Sequence, residues 1–272
     1  TCWHCDCGHW RTEFSHIITT RLSKMTTLAI QDLTITIEER TLVDRLSVEF
    51  HENQVWGMLG SNGAGKTTLL HTIAGLRKNQ TGTIQLNNKD IFQINAKRRA
   101  KKIGLLQQDG EFSFPSTVLE TALIGRYPHQ KNWFYDEKKD IEFAKQILAE
   151  VGLSQFEHRT VTNLSGGEKR KLMLAILLIQ NPDIYLLDEP TNHLDMQQRV
   201  QMLARLTKLA RQQHKIVIMI LHDVHLISHF CDHIILFEEP GKIRTGECQD
   251  ILNKATLHRL FPIYMKENCI NL

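Results

Sequence analysis

The amino-acid sequence predicts an α/β domain built on a largely parallel β-sheet. Three observations carry this. Short apolar runs bounded by polar residues and glycine recur from residue 28 onward, helical stretches separate most of them, and a glycine-rich segment at 60–67 stands between a strand-like run and a helical one. Strands that alternate with helices bury both faces of their sheet, and continuous apolar runs are what such burial requires.

Residues 1–24 show no clear period, and alternation begins after Met25, at Leu28, Ile30, Leu33, Ile35 and Ile37. Met25 reads as the natural start and 1–24 as a leader or added extension outside the fold. Cys2, His4, Cys5, Cys7 and His9 are closely spaced soft ligands, but a zinc module needs two ligand pairs separated by a folded segment, so the extension reading is preferred. Residues 43–50 continue the β pattern, and 55–59 (VWGML) form a buried central strand. Residues 103–106, 184–187, 216–221 and 234–237 are strands of the same kind. Between 106 and 184 the pattern turns helical, with a helix over 117–126 opened by a Thr117/Glu120 capping box and another over 137–151 closed by Gly152. This predicts a helical insertion at about 109–165, with a surface loop over 128–135. The domain as a whole is expected to span 25–262, followed by a tail over 263–272.

With 42% hydrophobic and 23% charged residues among 272, the chain has the composition of a folded globular protein. A net charge of +3 is too small for a protein that neutralises a nucleic-acid backbone, and the KRRAKK run at 97–102 reads as a solvated helix face. The longest apolar runs, 172–179 and 216–221, fall far short of the roughly 20 residues that span a bilayer. Service to a membrane would therefore run through another subunit. Cys231, Cys248 and Cys269 read as ordinary thiols of a reducing compartment.

The segment Gly60-Ser61-Asn62-Gly63-Ala64-Gly65-Lys66-Thr67 matches G-x-x-x-x-G-K-[ST] in full and runs on through Thr68 into a helix ended by Gly75. Its glycines let successive backbone N–H groups face an anion at a helix N-terminus. Lys66 would reach the β and γ phosphates, and the Thr67 hydroxyl would ligate Mg²⁺. A second apolar strand ends in Asp188-Glu189, two adjacent acids that packing does not explain. Asp188 is positioned to hold Mg²⁺ directly or through water, and Glu189 to orient or deprotonate an attacking water. A third motif, Leu164-Ser165-Gly166-Gly167-Glu168, precedes a helix over 169–179, with Ser165 as N-cap and Glu168 closing a capping box.

The order of these three motifs resembles the ATP-binding cassette family, in which LSGG is the signature; the resemblance covers residues 26 to about 262. It implies a P-loop NTPase (RecA-like) fold, with a mostly parallel core, an antiparallel β subdomain and the helical signature subdomain inserted. By the same resemblance Gln108 matches the Q-loop glutamine that senses Mg²⁺, with Gln107 the competing choice. Asn192-His193-Leu194-Asp195 matches the D-loop, and His222 matches the switch histidine at the γ-phosphate. One departure is that Ile37 stands where family members often place an aromatic residue to stack on adenine. His222, His225, His229 and His233 recur at helical spacing without supplying a third ligand for a metal.

The family sandwiches two ATP molecules between two subunits, so the resemblance implies a homodimer whose signature residues serve the partner's nucleotide. The stretches 112–120 and 124–129, together with 230–233, are similar to ATPases of importers for ferric siderophores, haem and cobalamin. That likeness implies a separate transmembrane permease, an indirect link to a periplasmic or lipoprotein substrate-binding protein, no nucleic-acid partner, and a place on the cytoplasmic face of the inner membrane. An exporter or lipoprotein-release system is the alternative, and a soluble cassette acting on ribosomes or DNA a more distant one.

Overall fold

A computed structural model describes residues 25–78, 81–108, 112, 115–130, 137–192, 194–253 and 256. The early alternation forms β1 (Thr27–Ile37), which pairs antiparallel with β2 (Arg40–His51) across a two-residue turn where Glu38 takes a φ of 54°. The apolar run after it is β3 (Val55–Gly60), which leads through the glycine-rich loop into α1 (Lys66–Ile73). Next come β4 (Thr81–Leu86) and β5 (Lys89–Asp90), joined at Asn87 and Asn88, both at positive φ as a tight hairpin demands. Then follow α2 (Ala96–Ala100), β6 (Ile103–Leu106), α3 (Val118–Leu123), α4 (Glu137–Glu150), α5 (Gly166–Gln180) and β7 (Ile184–Leu187). The chain continues through α6 (Met196–Gln212), β8 (Ile216–Ile220), α7 (Val224–Phe230), β9 (His233–Glu239), β10 (Lys242–Glu247) and α8 (Cys248–Ile251).

Two sheets result. An antiparallel sheet has the order β2-β1-β4-β5, and a six-stranded sheet has the order β10-β9-β3-β8-β7-β6. In the larger one only the edge pair β9–β10 is antiparallel. Every parallel strand therefore ends on the same side, and the loops after β3, β6, β7 and β8 gather at one edge. That is where open α/β sheets place their ligands.

Period-2 alternation sorts the large sheet's side chains into two cores. Trp56, Met58, Ile184, Leu186, Ile216, Ile218 and Ile220 pack with α1 and the antiparallel sheet. Val55, Leu59, Tyr185, Leu187, Val217 and Met219 pack instead with the helices of 118–230. Leu70 of α1 is fully buried in the first core. Leu70→Ala is expected to cost about 2–5 kcal/mol, read as a lowered midpoint in urea at unchanged slope.

Several boundaries differ from the sequence expectation. The 117–126 helix is α only over Val118–Leu123. It then tightens into a 3₁₀ segment, Ile124–His129, which carries Pro128, a residue with no N–H to continue an α-helical ladder. Pro128 is buried rather than on a surface loop, and 131–136 lie outside the described residues. Ser165 is the N-cap as expected, and the signature helix starts at the next residue, Gly166, so both glycines of the motif lie inside the helix rather than ahead of it. Arg99 in the basic run is not a solvated group: it donates to the carbonyls of Ile91, Ile94 and Gly75. Residues 1–24, His193 and 257–272 lie outside the described residues, so the cysteine-rich extension does too.

Candidate functional site

The loop after β3 is shaped by its glycines. Gly63 and Gly65 sit at φ 74° and 105°, and a Cβ at Gly65 would lie 2.9 Å from the Leu42 Cβ. Gly60 is equally confined, since a Cβ there would meet the Phe237 carbonyl oxygen at 2.9 Å. Lys66, in the first turn of α1, folds back over the loop and donates from Nζ to the carbonyls of Gly60 and Ser61, each at 2.9 Å. Burial lowers its pKa, opposed by the nearby charges of Glu189 and Asp188.

Both acids lie just past the end of β7. Asp188 is fully buried, and neither carboxylate oxygen has a well-formed hydrogen bond. Burial raises its pKa, while the facing Thr67 hydroxyl acts in the opposite direction. A buried carboxylate in this position is unfavourable unless a cation meets it. Together with Thr67 it supplies hard oxygen donors, which fit Mg²⁺.

Glu189 is built differently. It adopts φ 48°, a left-handed conformation that costs a non-glycine residue on the order of 1–3 kcal/mol. Its Oε1 lies 2.6 Å from Nε2 of His222, just past β8, and its Oε2 accepts from the Asn192 side-chain amide. Burial alone would raise the Glu189 pKa, but these two hydrogen bonds outweigh it and lower the value. The carboxylate is thus ionised and fixed in direction from both sides.

Lys66, Thr67, Thr68, Gln108, Glu189 and His222 line one cleft of about 620 Å³ together with Asn62, Gly63 and Gly65. Its far wall is Ile37, Glu38, Arg40 and Leu42 of the β1–β2 hairpin, so the position that lacks an aromatic residue does face the cleft. Gln108 lines it and Gln107 does not. Among the described residues, no group of three or more His, Cys, Asp or Glu comes together as a metal cluster.

Residues 164–168 lie elsewhere. Leu164 is buried, Ser165 and Gly166 are exposed, and none of the five lines the cleft. Ser165 and Glu168 form the expected capping box: the Ser165 N–H and hydroxyl both donate to Glu168 Oε2, and the Glu168 N–H donates to Ser165 Oγ. These bonds hold the Glu168 carboxyl below its usual pKa range. Asp195 caps α6, accepting from the Gln198 N–H at 2.8 Å.

Comparison with known proteins agrees with this geometry. The family described as ABC transporter matches residues 43–192, which contain the glycine-rich loop, the 164–168 motif and the Asp188-Glu189 pair. The chain belongs to the ABC transporter family. The petrobactin import ATP-binding protein FpuD of Bacillus anthracis is 33% identical over 237 residues, covering 86% of each chain. The hemin import ATP-binding protein HmuV of Escherichia coli O157:H7 is 32% identical over 240 residues, 86% of this chain and 91% of the relative. Among solved structures, an ABC transporter described as of metal-chelate type, in an inward-facing conformation, superposes with a TM-score of 0.75 at 26% identity. That match covers 87% of this chain and 89% of the other. As an ABC transporter ATP-binding protein, the chain binds ATP and is an ATPase coupled to transport.

Two features of this ABC transporter site escape sequence reading. In the sequence Asn192 is legible only as part of a D-loop pattern, yet its side chain orients Glu189. Arg170, hidden in a Lys-Arg-Lys run at a helix start, is one of the few buried charges of the described residues. Its one legible signal is a basic residue at a position whose helical neighbours, Leu174 and Leu177, are apolar and buried.

Proposed function

We propose that this chain is the ATP-hydrolysing subunit that powers import of a metal chelate, such as an iron siderophore, haem or cobalamin, through a separate transmembrane permease. The observation that carries the proposal is the convergence of Lys66, from the first turn of α1, and Gln108, Glu189 and His222, from three separate loops, on one cleft. The relatives' names direct it to import.

In this mechanism the N–H groups of Gly60 to Thr68 and the Lys66 ammonium hold the β and γ phosphates. Thr67, Asp188 and Gln108 would hold Mg²⁺, which neutralises phosphate charge when bound. Glu189, fixed by Asn192 and His222, accepts a proton from the attacking water, and His222 faces the γ-phosphate. Because 164–168 stand apart from the chain's own cleft, they serve the nucleotide of a second copy, and the working form is a homodimer. Asp195 lies in the D-loop at that junction. Loss of the γ-phosphate removes a ligand shared by both halves and lets them separate.

No helix among the described residues is long and apolar enough to cross a membrane. Exposed Ile124 and Tyr127 offer an apolar surface for the permease. The chain then sits at the cytoplasmic face of the inner membrane, with a periplasmic or lipoprotein binding protein delivering the chelate on the far side. Co-expression with a candidate permease tests this. A stable complex in which the permease raises ATP turnover is expected, whereas stimulation by ribosomes or DNA instead of the permease would refute it.

The Mg²⁺ assignment has its own test. Asp188→Asn removes a buried charge, so its thermal midpoint is expected to be unchanged or higher. Its Mg²⁺ requirement in the ATPase assay should rise at least about tenfold. A lower midpoint with an unaltered Mg²⁺ requirement would make Asp188 structural.

A further inference from the structure

The mechanism above leaves a buried cation beside the site without a role. Arg170 lies in the second turn of α5 and is 4% exposed. Its Nη1 donates to the carbonyls of Gln107 and Gln108 at 2.7 and 2.9 Å. Its Nη2 donates to those of Asp188 and Glu189 at 2.7 and 2.5 Å, and its Nε to that of Pro190 at 3.3 Å. One planar fork therefore joins the segment carrying Gln108 to the loop carrying Glu189.

The Nη2 contacts are the informative pair. The conformation of Glu189 is set by the two peptide planes on either side of its Cα, and the carbonyl of each plane is bound to the same Arg170 nitrogen. Glu189 is also the residue held at φ 48°, a conformation that persists only where its surroundings fix it. A lysine would reproduce this only in part, because its ammonium is a point donor while guanidinium presents several N–H groups in a rigid plane. One and two turns further along α5, Leu174 and Leu177 are buried and apolar, so Arg170 is the polar exception on that face.

We propose that Arg170 is a positioning residue that sets the Glu189 carboxylate by fixing both peptide planes around it, and that it ties this setting to α5. The N-terminus of α5 carries Ser165 to Glu168, so a shift of α5 on meeting a second copy's nucleotide reaches Glu189 and Gln108 through a single side chain. The proposal rests on the reading of Glu189 as the base.

The test compares Arg170→Met, which keeps volume and removes every donor, with Arg170→Lys in the full chain. The Met variant is expected to lose about tenfold or more in kcat with KM and the affinity for a fluorescent ATP analogue within about threefold, and the Lys variant to recover part of that loss. Hydrogen exchange should rise in peptides covering 107–108 and 188–192 and stay unchanged across α1. In a Glu189→Gln background, Arg170→Met should produce no further loss. Wild-type kcat in both variants, an equal fractional loss with and without the Glu189 carboxylate, or unfolding of both variants would each overturn the positioning role. The base reading fails separately, if Glu189→Gln alone turns over at the wild-type rate.

Discussion

Glu189→Gln is expected to lower ATP turnover by roughly 10²–10⁴-fold, the span that a positioned general base contributes, while leaving nucleotide affinity nearly unchanged. The amide is isosteric and can still meet Asn192 and His222, so the loop should keep its shape. What is lost is the acceptor for a water proton. With hydrolysis blocked and binding intact, ATP should accumulate in a closed dimer, visible as a doubled mass in light scattering only when ATP is present. Rapid phosphate release by the variant would remove Glu189 from the base role.

Lys66→Ala acts at the opposite point, on binding. The ammonium is already held over the loop by the carbonyls of Gly60 and Ser61, so it is placed for phosphate before any nucleotide arrives. Hydrogen bonds to charged groups are worth about 1.5–3 kcal/mol each, so ATP affinity is expected to fall roughly ten- to a hundredfold. Titration with a fluorescent nucleotide measures this. The variant should also fail to dimerise with ATP, in contrast to Glu189→Gln, because it cannot hold the shared ligand. Affinity within twofold of wild type would mean that the loop N–H groups alone bind the phosphates.

The sequence was most informative where local chemistry dictates local structure. The Thr117/Glu120 and Ser165/Glu168 boxes are visible as residue spacings and occur in the fold as such, since each is closed by atoms three residues apart. The apolar runs at 55–59, 184–187 and 216–221 are legible because strands buried on both faces need no polar alternation. β4 and β5 escaped because Thr81 to Leu86 is a short, half-exposed run. Its partner across the Asn87-Asn88 turn is only two residues long. β10 escaped because edge strands with one wet face carry charges such as Lys242, Arg244 and Glu247. The missed site residues have different causes. Arg170 acts on carbonyls that tertiary folding brings near and that no sequence pattern encodes, whereas Asn192 meets Glu189 only three residues away, through a side-chain pairing that forms because Glu189 adopts a left-handed conformation the sequence does not announce. Ile37 shows the converse: its place in the cleft was legible from the family resemblance, and the hairpin delivers it there with Arg40 alongside.

The most direct test of the whole account is ATP turnover by the chain assembled with its permease in proteoliposomes, measured with and without chelate-loaded binding protein. Turnover should rise when the loaded binding protein is added, chelate should accumulate in the vesicle lumen, and Glu189→Gln should abolish both. Turnover indifferent to the binding protein, or chelate movement that continues unchanged in the Glu189→Gln complex, would contradict it.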